Sequence, residues 1–554
     1  MTPLQDLCEN GVDVLIIGAG INGAGLFRDL CEQGVRCAII EKNDFGSGTS
    51  AAPSRLIHGG LKYLETGEFG LVAQSTLERN LLLRNAPHCV EPLLTLIPIF
   101  SWTKGSFAAL RTLFGSTTAP RSRGALLLKI GLSIYDHYGS RRNVMPRHRM
   151  LGRARALGQI PQMTPRIVAA ATYYDAKISH PERLVWELLA DGMAAHPASV
   201  ALNHTELSGH AGDALTFTHQ GGNFTLRPRI VINAAGPWID RVNAALGVET
   251  NLIGGTKGSH ILLDHPDLLR ALNGQMIYFE ADDGRILLVY EYLGKAMVGS
   301  TDIKAADPDT VRCEDEEIDY FLTSLRALLP GFTFDHGQIS YVYSGIRPLP
   351  ASDAANPGLI SRDHSTPTLE PMGQRPYPII ALVGGKWTTF RGFAEEVADD
   401  CLTRLGRARL LSTQGLGIGG GKQYPADPAA YIAQLTAQTG LPVDRLKTLF
   451  NRYGTSITAC LAHQGAWADA DRLPGRTDTS LAEINWIART QRVGSLADLV
   501  QRRTSLAIEG GLTTADLAAI GGVVATAQGW DAARTQDEIT SLTNALRQTN
   551  RMTL

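Results

Sequence analysis

No Cys-x-x-Cys pair occurs in the 554-residue chain, and its seven cysteines (8, 31, 37, 89, 313, 401 and 460) are odd in number and scattered. That makes a disulfide scaffold or a thiolate zinc site a poor fit and favours a reducing compartment; no metal site is expected. Long apolar runs are also missing. The longest, such as Leu93–Phe100, fall short of the ~20 residues that a membrane-spanning helix needs. The first eleven residues carry Asp6 and Glu9 and no apolar stretch, so they do not read as a signal peptide. Neither sign of charge is in surplus: 52 Lys+Arg face 54 Asp+Glu, which speaks against a general nucleic-acid binder. There is no internal repeat and no low-complexity segment. The remaining picture, 44% hydrophobic and 19% charged, is globular, with room for about three or four domains.

The charge is unevenly spread. Between Ser101 and Tyr174 stand twelve basic residues (Lys104, Arg111, Arg121, Arg123, Lys129, Arg141, Arg142, Arg147, Arg149, Arg153, Arg155 and Arg166), opposed only by Asp136. Among them lie Trp102, Phe107, Leu110, Leu113, Phe114, Leu126–Leu128 and Ile130. Cations interleaved with Trp, Phe and Leu suit a membrane-surface element over residues 101–164: the cations meet anionic headgroups and the apolar groups enter the acyl boundary. A solvated basic face over ordinary core helices is the plainer reading.

Val12–Ile17 reads as a strand, followed by Gly18-Ala19-Gly20-Ile21-Asn22-Gly23, a helical pattern to about Gln33, and a second strand over Val35–Ile40 ending in Glu41. This is a Rossmann βαβ unit. Gly18 permits the tight turn, Gly20 lets backbone approach a pyrophosphate, and Gly23 lets helix and strand pack closely. The helix N-terminus presents N–H groups to phosphate. Glu41 lies 23 residues after Gly18, near the ~20 expected of a carboxylate that binds ribose hydroxyls. The Gly- and hydroxyl-rich stretch that follows, through Thr49, Ser50 and His58-Gly59-Gly60, suits an extended FAD better than a nicotinamide crossover.

Two later segments read as further pieces of the same domain: Arg229–Asn233 running into Ala234-Ala235-Gly236-Pro237-Trp238, and Tyr377–Val383 running into Gly384-Gly385-Lys386-Trp387-Thr388-Thr389. Between them, Ser259–Leu263, Met276–Phe279, Arg285–Tyr290, Ala296–Ser300 and Tyr341–Ser344 suggest a mostly antiparallel sheet with a hairpin at Asp283-Gly284. Gly415–Gly421 reads as a linker, and the last ~130 residues have apolar residues at helical spacing. The expected architecture is α/β. A discontinuous Rossmann-type FAD-binding domain (1–100, 165–250, 340–410) joins an antiparallel-sheet substrate domain (251–339) and a helical C-terminal domain (425–554).

The run Ser54-Arg55-Leu56-Ile57-His58-Gly59-Gly60-Leu61-Lys62-Tyr63-Leu64-Glu65, with Gly18–Glu41, resembles the FAD-dependent glycerol-3-phosphate dehydrogenases. So do Ile134–His137, Asn233–Trp238, Lys257-Gly258-Ser259-His260, Gly299-Ser300-Thr301-Asp302, Tyr343–Leu349, Gly384–Thr389 and Glu483–Arg503, in family order along most of the chain. The resemblance implies oxidation of sn-glycerol 3-phosphate to dihydroxyacetone phosphate, with FAD reduced and then reoxidised by membrane quinone; with no attachment signal in the sequence, the FAD is taken as non-covalently held. It places the protein, peripherally, on the cytoplasmic face of the inner membrane, where a homodimer is possible.

Under that resemblance, a phosphate dianion needs fixed cations, and Arg347, Lys386, Arg362 and Lys62, with Tyr63 and Thr301, are the substrate-binding candidates. His58 is the candidate base, its ordinary pKa of about 6.5 suiting proton transfer near neutrality; His260 and Lys386 are alternatives. The cofactor-binding candidates are Gly18, Gly20, Asn22, Gly23, Glu41, Lys42, Thr49, Ser50, Arg55, Leu56, His58, Gly59, Gly60, Ala235, Gly236, Gly385, Lys386, Thr388 and Thr389. Lys62 stands where the family carries Arg, Ala51-Ala52-Pro53 where it is serine-rich, and Ile178–Leu184 where it has an acidic Asp-Asp-Ala-Arg-Leu stretch. Erythritol phosphate would use the same anchors. An oxygen-using oxidase and a flavoprotein without turnover are the other readings.

Overall fold

The computed structural model describes residues 2–64, 67–102, 124–139, 145–305, 307–352 and 363–554. Its first layer is a six-stranded sheet in the order Thr368–Leu369, Ile379–Ala381, Pro228–Asn233, Val12–Ile17, Cys37–Ile40, Val200–Leu202. All pairs are parallel except the first. The central strand, VDVLII, is buried almost throughout, as expected of parallel strands covered on both faces. The helices Ile21–Glu32, Pro181–Ala195 and Phe390–Leu405 pack on one face through Phe27, Leu188, Phe390 and Phe393. The three-stranded antiparallel sheet spanning 205–226 covers the other through Leu215 and Phe217.

The second layer is a ten-stranded sheet, antiparallel apart from the pairing of Met276–Glu280 with Val90–Ile99. It takes in more of the chain than the sequence pattern assigns to it. Leu56–Ile57, Val90–Ile99 and Ala169–Ile178 belong here rather than to the Rossmann sheet, and so does Ile339–Arg347, whose Tyr341–Ser344 the strand pattern assigns to this sheet although the domain bounds 340–410 do not. Val90–Ile99 and Ala169–Ile178 pair with each other over ten residues on one edge, and their other edges are taken by Met276–Glu280 and by Leu56–Ile57 with Arg149–Gly152, which leaves neither for the parallel sheet. Asp283-Gly284 does turn a hairpin, Gly284 having φ +83° between paired Glu280 and Ile286.

Helix Asp315–Leu328 covers one face of this sheet. The helical C-terminal unit covers the other, sharing one apolar cluster with it: Tyr290, Tyr292, Tyr341 and Tyr343 pack with Leu449, Trp486, Leu499 and Leu546. The Gly415–Gly421 stretch is a packed joint, not a loose linker. A Cβ on Gly420 would lie 2.0 Å from the Tyr453 carbonyl oxygen, and one on Gly421 would lie 2.1 Å from that of Asn85. Glycine here serves backbone contact. Within the helical unit, residues Asp498–Arg503 form a π-helical turn rather than α-helix.

Candidate active site

A cleft of about 850 Å³ opens where the two sheets meet, within the size range of small-molecule sites. Its floor is the first βα turn. Gly18 sits at φ +106°, and a Cβ there would lie 2.6 Å from the Ala234 carbonyl oxygen. A Cβ on Gly23 would meet the Gly18 carbonyl oxygen at 2.0 Å, so Gly23 acts behind the cleft by letting the helix approach. That helix begins at Gly20 with no side-chain cap and no acid in its first turn. Its end is therefore free of competing negative charge toward a pyrophosphate. Ser50 Oγ accepts the Ile21 N–H at 2.9 Å. Asn22 Oδ1 is buried at the cleft without a partner, an orphan acceptor of the kind a bound ligand satisfies. Glu41 holds both oxygens at the ribose end, accepting from Ala19 N–H (2.9 Å) and Asn43 N–H (3.1 Å). Burial pushes its carboxyl above the ordinary value despite those bonds.

Of the cofactor candidates, Gly18, Gly20, Asn22, Glu41, Lys42, Thr49, Ser50, Leu56, His58, Ala235, Gly236, Gly385, Lys386 and Thr388 line the cleft. Their donor set and the uncapped helix end fit a dinucleotide. The others act from behind. Arg55 forms a buried bidentate pair with Glu182 (3.0 and 2.7 Å) and donates to Tyr292 Oη. The Gly59 N–H donates to Tyr135 Oη and Asp175 Oδ1, both at 3.0 Å, and a Cβ there would meet Tyr135 rather than a ligand. Gly60 makes room for the Tyr63 ring. Thr389 turns its hydroxyl to the Lys386 carbonyl.

At the substrate end, the His58 N–H donates to Thr388 Oγ1 (3.2 Å) and its ring stacks beside Tyr63. Lys386 is buried, its Nζ 3.6 Å above the Tyr63 ring centre and 3.0 Å from Ser75 Oγ. Arg347 reaches the cleft from the end of its strand. Its guanidinium lies over Gly258, where a Cβ would come within 2.1 Å. It donates to Asp302 (3.2 Å), Ser300 Oγ (3.0 Å) and the Thr301 carbonyl (3.1 Å). His260 also lines the cleft, its Nε2 2.8 Å from Ser54 Oγ and its ring flat on Tyr343. Burial, and then the charges of Arg347 and Arg55, hold it far below its ordinary pKa, so it is neutral.

Two substrate candidates are placed elsewhere. Thr301 turns its hydroxyl from the cleft, donating to Glu317 Oε1 (2.6 Å) and accepting the Ser259 N–H (2.9 Å). Lys62 is exposed on a 3-10 turn and does not line the cleft. Arg362 lies outside the described residues.

The structure adds groups that sequence reasoning missed. At the cleft mouth Asp309 accepts from Trp238 Nε1 (2.8 Å) and Lys42 Nζ (3.2 Å), while Arg241 bridges Asp307 and Asp309. Ser495, Asp498, Gln501 and Arg502 of the helical unit line the same cleft, with His204. No spacing rule points to them; only the pairing of distant segments does.

A Rossmann-type sheet in separate chain segments, with an antiparallel sheet closing a cation-bearing cleft over its glycine turn, defines a two-layer flavin-dependent oxidoreductase. Residues 13–399 match the family of FAD dependent oxidoreductases, and 411–535 match the C-terminal domain of alpha-glycerophosphate oxidase. The glycerol-3-phosphate dehydrogenase of Synechocystis sp. is 31% identical over 92% of this chain and 91% of its own. The D-erythritol 1-phosphate dehydrogenase of Brucella abortus is 32% identical over 89% and 94%. The crystal structure of the glycerol-3-phosphate dehydrogenase from Bacillus halodurans complexed with FAD superposes with a TM-score of 0.76 at 21% identity, over 98% of this chain and 96% of that one. The chain belongs to the FAD-dependent glycerol-3-phosphate dehydrogenase family, and its cofactor is FAD.

Proposed function

We propose that the protein oxidises sn-glycerol 3-phosphate to dihydroxyacetone phosphate and delivers the electrons to membrane quinone. The observation that carries this is the convergence of two cations, Arg347 and Lys386, with His58 on one cleft beside the flavin-binding turn. A phosphate dianion takes the fork of Arg347 and the point charge of Lys386. Alcohol oxidation removes a hydride from carbon and a proton from oxygen, and FAD when bound supplies the hydride acceptor. His58 takes the hydroxyl proton. The neutral His260–Ser54 pair offers hydrogen bonds that orient the substrate hydroxyls.

The membrane part rests on helix Ala125–Gly139. It buries Ala125, Leu128, Leu132 and Tyr135 and turns out Leu126 (58% exposed), Ile130 (53%) and Lys129; its Ala125 N–H donates to the carbonyl of Ser101, the neighbour of exposed Trp102 (58%). Apolar groups beside a cation on an outward face favour a bilayer surface. Among the described residues no helix is long and apolar enough to cross a membrane. The attachment proposed here, through this outward face, is peripheral and at the cytoplasmic face. The basic residues at 104–123, 141 and 142 lie outside the described residues.

The 32% identity to a D-erythritol 1-phosphate dehydrogenase favours a second reading, the same chemistry on a four-carbon polyol phosphate. Anaerobic titration of the yellow protein separates them. Bleaching of the flavin band by glycerol 3-phosphate at lower concentration than by erythritol phosphate supports the first; the reverse order supports the second. No bleaching by either refutes both. Turnover with a quinone analogue rather than oxygen tests the acceptor.

A further inference from the structure

The helical C-terminal unit does more than cover the sheet. Immediately after Glu41, the segment Asn43–Asp44 is held by that unit. Asp44 forms a bidentate pair with Arg503 (2.7 and 2.7 Å), whose side chain is wholly buried between Phe45 and Trp186. Asn203 Nδ2 bridges Asp44 Oδ1 (2.8 Å) to the Arg492 carbonyl (2.9 Å), and Arg503 Nε donates to the Gln491 carbonyl (2.9 Å).

A second contact lies alongside. The His204 N–H donates to the Asn43 carbonyl, and its Nε2 is 2.8 Å from Asp498, which also accepts the N–H groups of Gly494 and Ser495. Asp44, His204 and Asp498 are near enough to suggest a metal, but each already has a protein partner, and Arg503 supplies the positive charge. Glu41, Asp44, His204, Ser495 and Asp498 all face one cleft.

We propose that the C-terminal unit is a retaining wall of the cofactor site: docked through Arg503–Asp44 and Asp498–His204, it holds residues 41–50 closed on the ribose end of FAD and sets how fast FAD leaves. The same segment carries Ser50, whose hydroxyl fixes the Ile21 N–H at the phosphate end, so releasing Asp44 loosens both ends of the grip. Burial makes the pair effective, because a carboxylate left without its guanidinium in the interior cannot relax into water.

The test follows the rise of free-flavin fluorescence after dilution of the holoenzyme. Removing one partner of the Arg503–Asp44 pair strands a buried charge and risks misfolding, so the variants are Asp44→Asn with Arg503→Gln, and Asp498→Asn alone, whose partner His204 is exposed to water. The control is Lys447→Gln, which breaks an exposed pair with Asp444 inside the helical unit, off the cleft. FAD release tenfold faster or more in both variants, with the control near wild type, is the expected result. Unchanged release in the two variants, or equal acceleration in the control, overturns the proposal. If the double variant does not fold, Asp498→Asn decides alone by the same criterion.

Discussion

Replacing Thr301 by valine removes a hydroxyl and keeps the shape of the side chain. That hydroxyl is buried. It donates to the Glu317 carboxylate, which Lys257 Nζ also approaches to 2.6 Å, and it accepts the Ser259 N–H. Losing a hydrogen bond to a charged group costs about 1.5–3 kcal/mol, and the orphaned N–H adds roughly 1–3 kcal/mol. Stability should therefore fall by about 2–4 kcal/mol, the two losses not being fully additive. The same residue's carbonyl is one of three acceptors that aim Arg347. If the 300–302 turn shifts, Arg347 loses about one charge-assisted hydrogen bond of preorganisation, ~1.5 kcal/mol at the low end, or roughly tenfold in KM. Inorganic phosphate, as a competitive inhibitor, should weaken in step, while kcat changes less. Thr301→Ser keeps the hydroxyl and should restore wild-type KM. Burial opposes ionisation of Glu317, but hydrogen bonds from Lys257 and Thr301 hold its pKa below the ordinary value. Its contribution is thus full above pH ~4.5 and fades only as pH falls through the depressed pKa. A valine variant with lowered thermal stability but unchanged KM and phosphate inhibition would refute the reasoning and leave Thr301 a core residue.

Gly258→Ala places a methyl where the Arg347 guanidinium now lies; KM for the phosphate substrate should rise at least tenfold, with flavin content retained in the absorption spectrum. His58→Gln should lower kcat by roughly 10²–10⁴-fold while flavin stays bound, and an unaltered pH–rate profile would remove His58 as the base. His88 Nε2 lies 2.8 Å from buried Glu187; burial disfavours its charge, but Glu187 prevails and raises it to about 10. A raised pKa stabilises fully below the unfolded value of ~6.5 and is lost as pH climbs through the folded one. The urea midpoint of wild type should accordingly fall between pH 7 and 10 more than that of His88→Gln. Leu126→Ser with Ile130→Ser should weaken sedimentation with anionic vesicles at low salt without changing flavin content, and equal sedimentation would clear this helix of a membrane role.

The local parts of the site were readable from sequence because their chemistry is contiguous. Gly18 to Glu41 carries strand, turn, helix and acid within one unit, and Gly384–Thr389 is a single turn. What could not be read depends on pairing. Arg55 looks like a ligand residue until Glu182, 127 positions away, is seen to take both ends of its guanidinium. Thr301 stands in a substrate-associated motif, but spacing does not say which way a residue at a strand end points. Gly415–Gly421 has the composition of a flexible linker, and glycine serves close backbone contact equally well. The sheet boundaries were misjudged for a related reason. Val90–Ile99 follows the first Rossmann unit in sequence, yet its hydrogen-bonding partners are Ala169–Ile178, across the basic segment, and Met276–Glu280.

Asp44 and Arg503 are 459 positions apart in the chain. At roughly 5–20 residues per second, a ribosome that has made Asp44 needs about half a minute to a minute and a half more to make Arg503. For all that time the ribose end of the cleft lacks its far side, although the βα turn that meets the pyrophosphate is among the first parts synthesised. On the retaining-wall proposal, firm retention of the cofactor is thereby deferred to the end of translation, and chains truncated before Arg503 should lose FAD faster than the full chain.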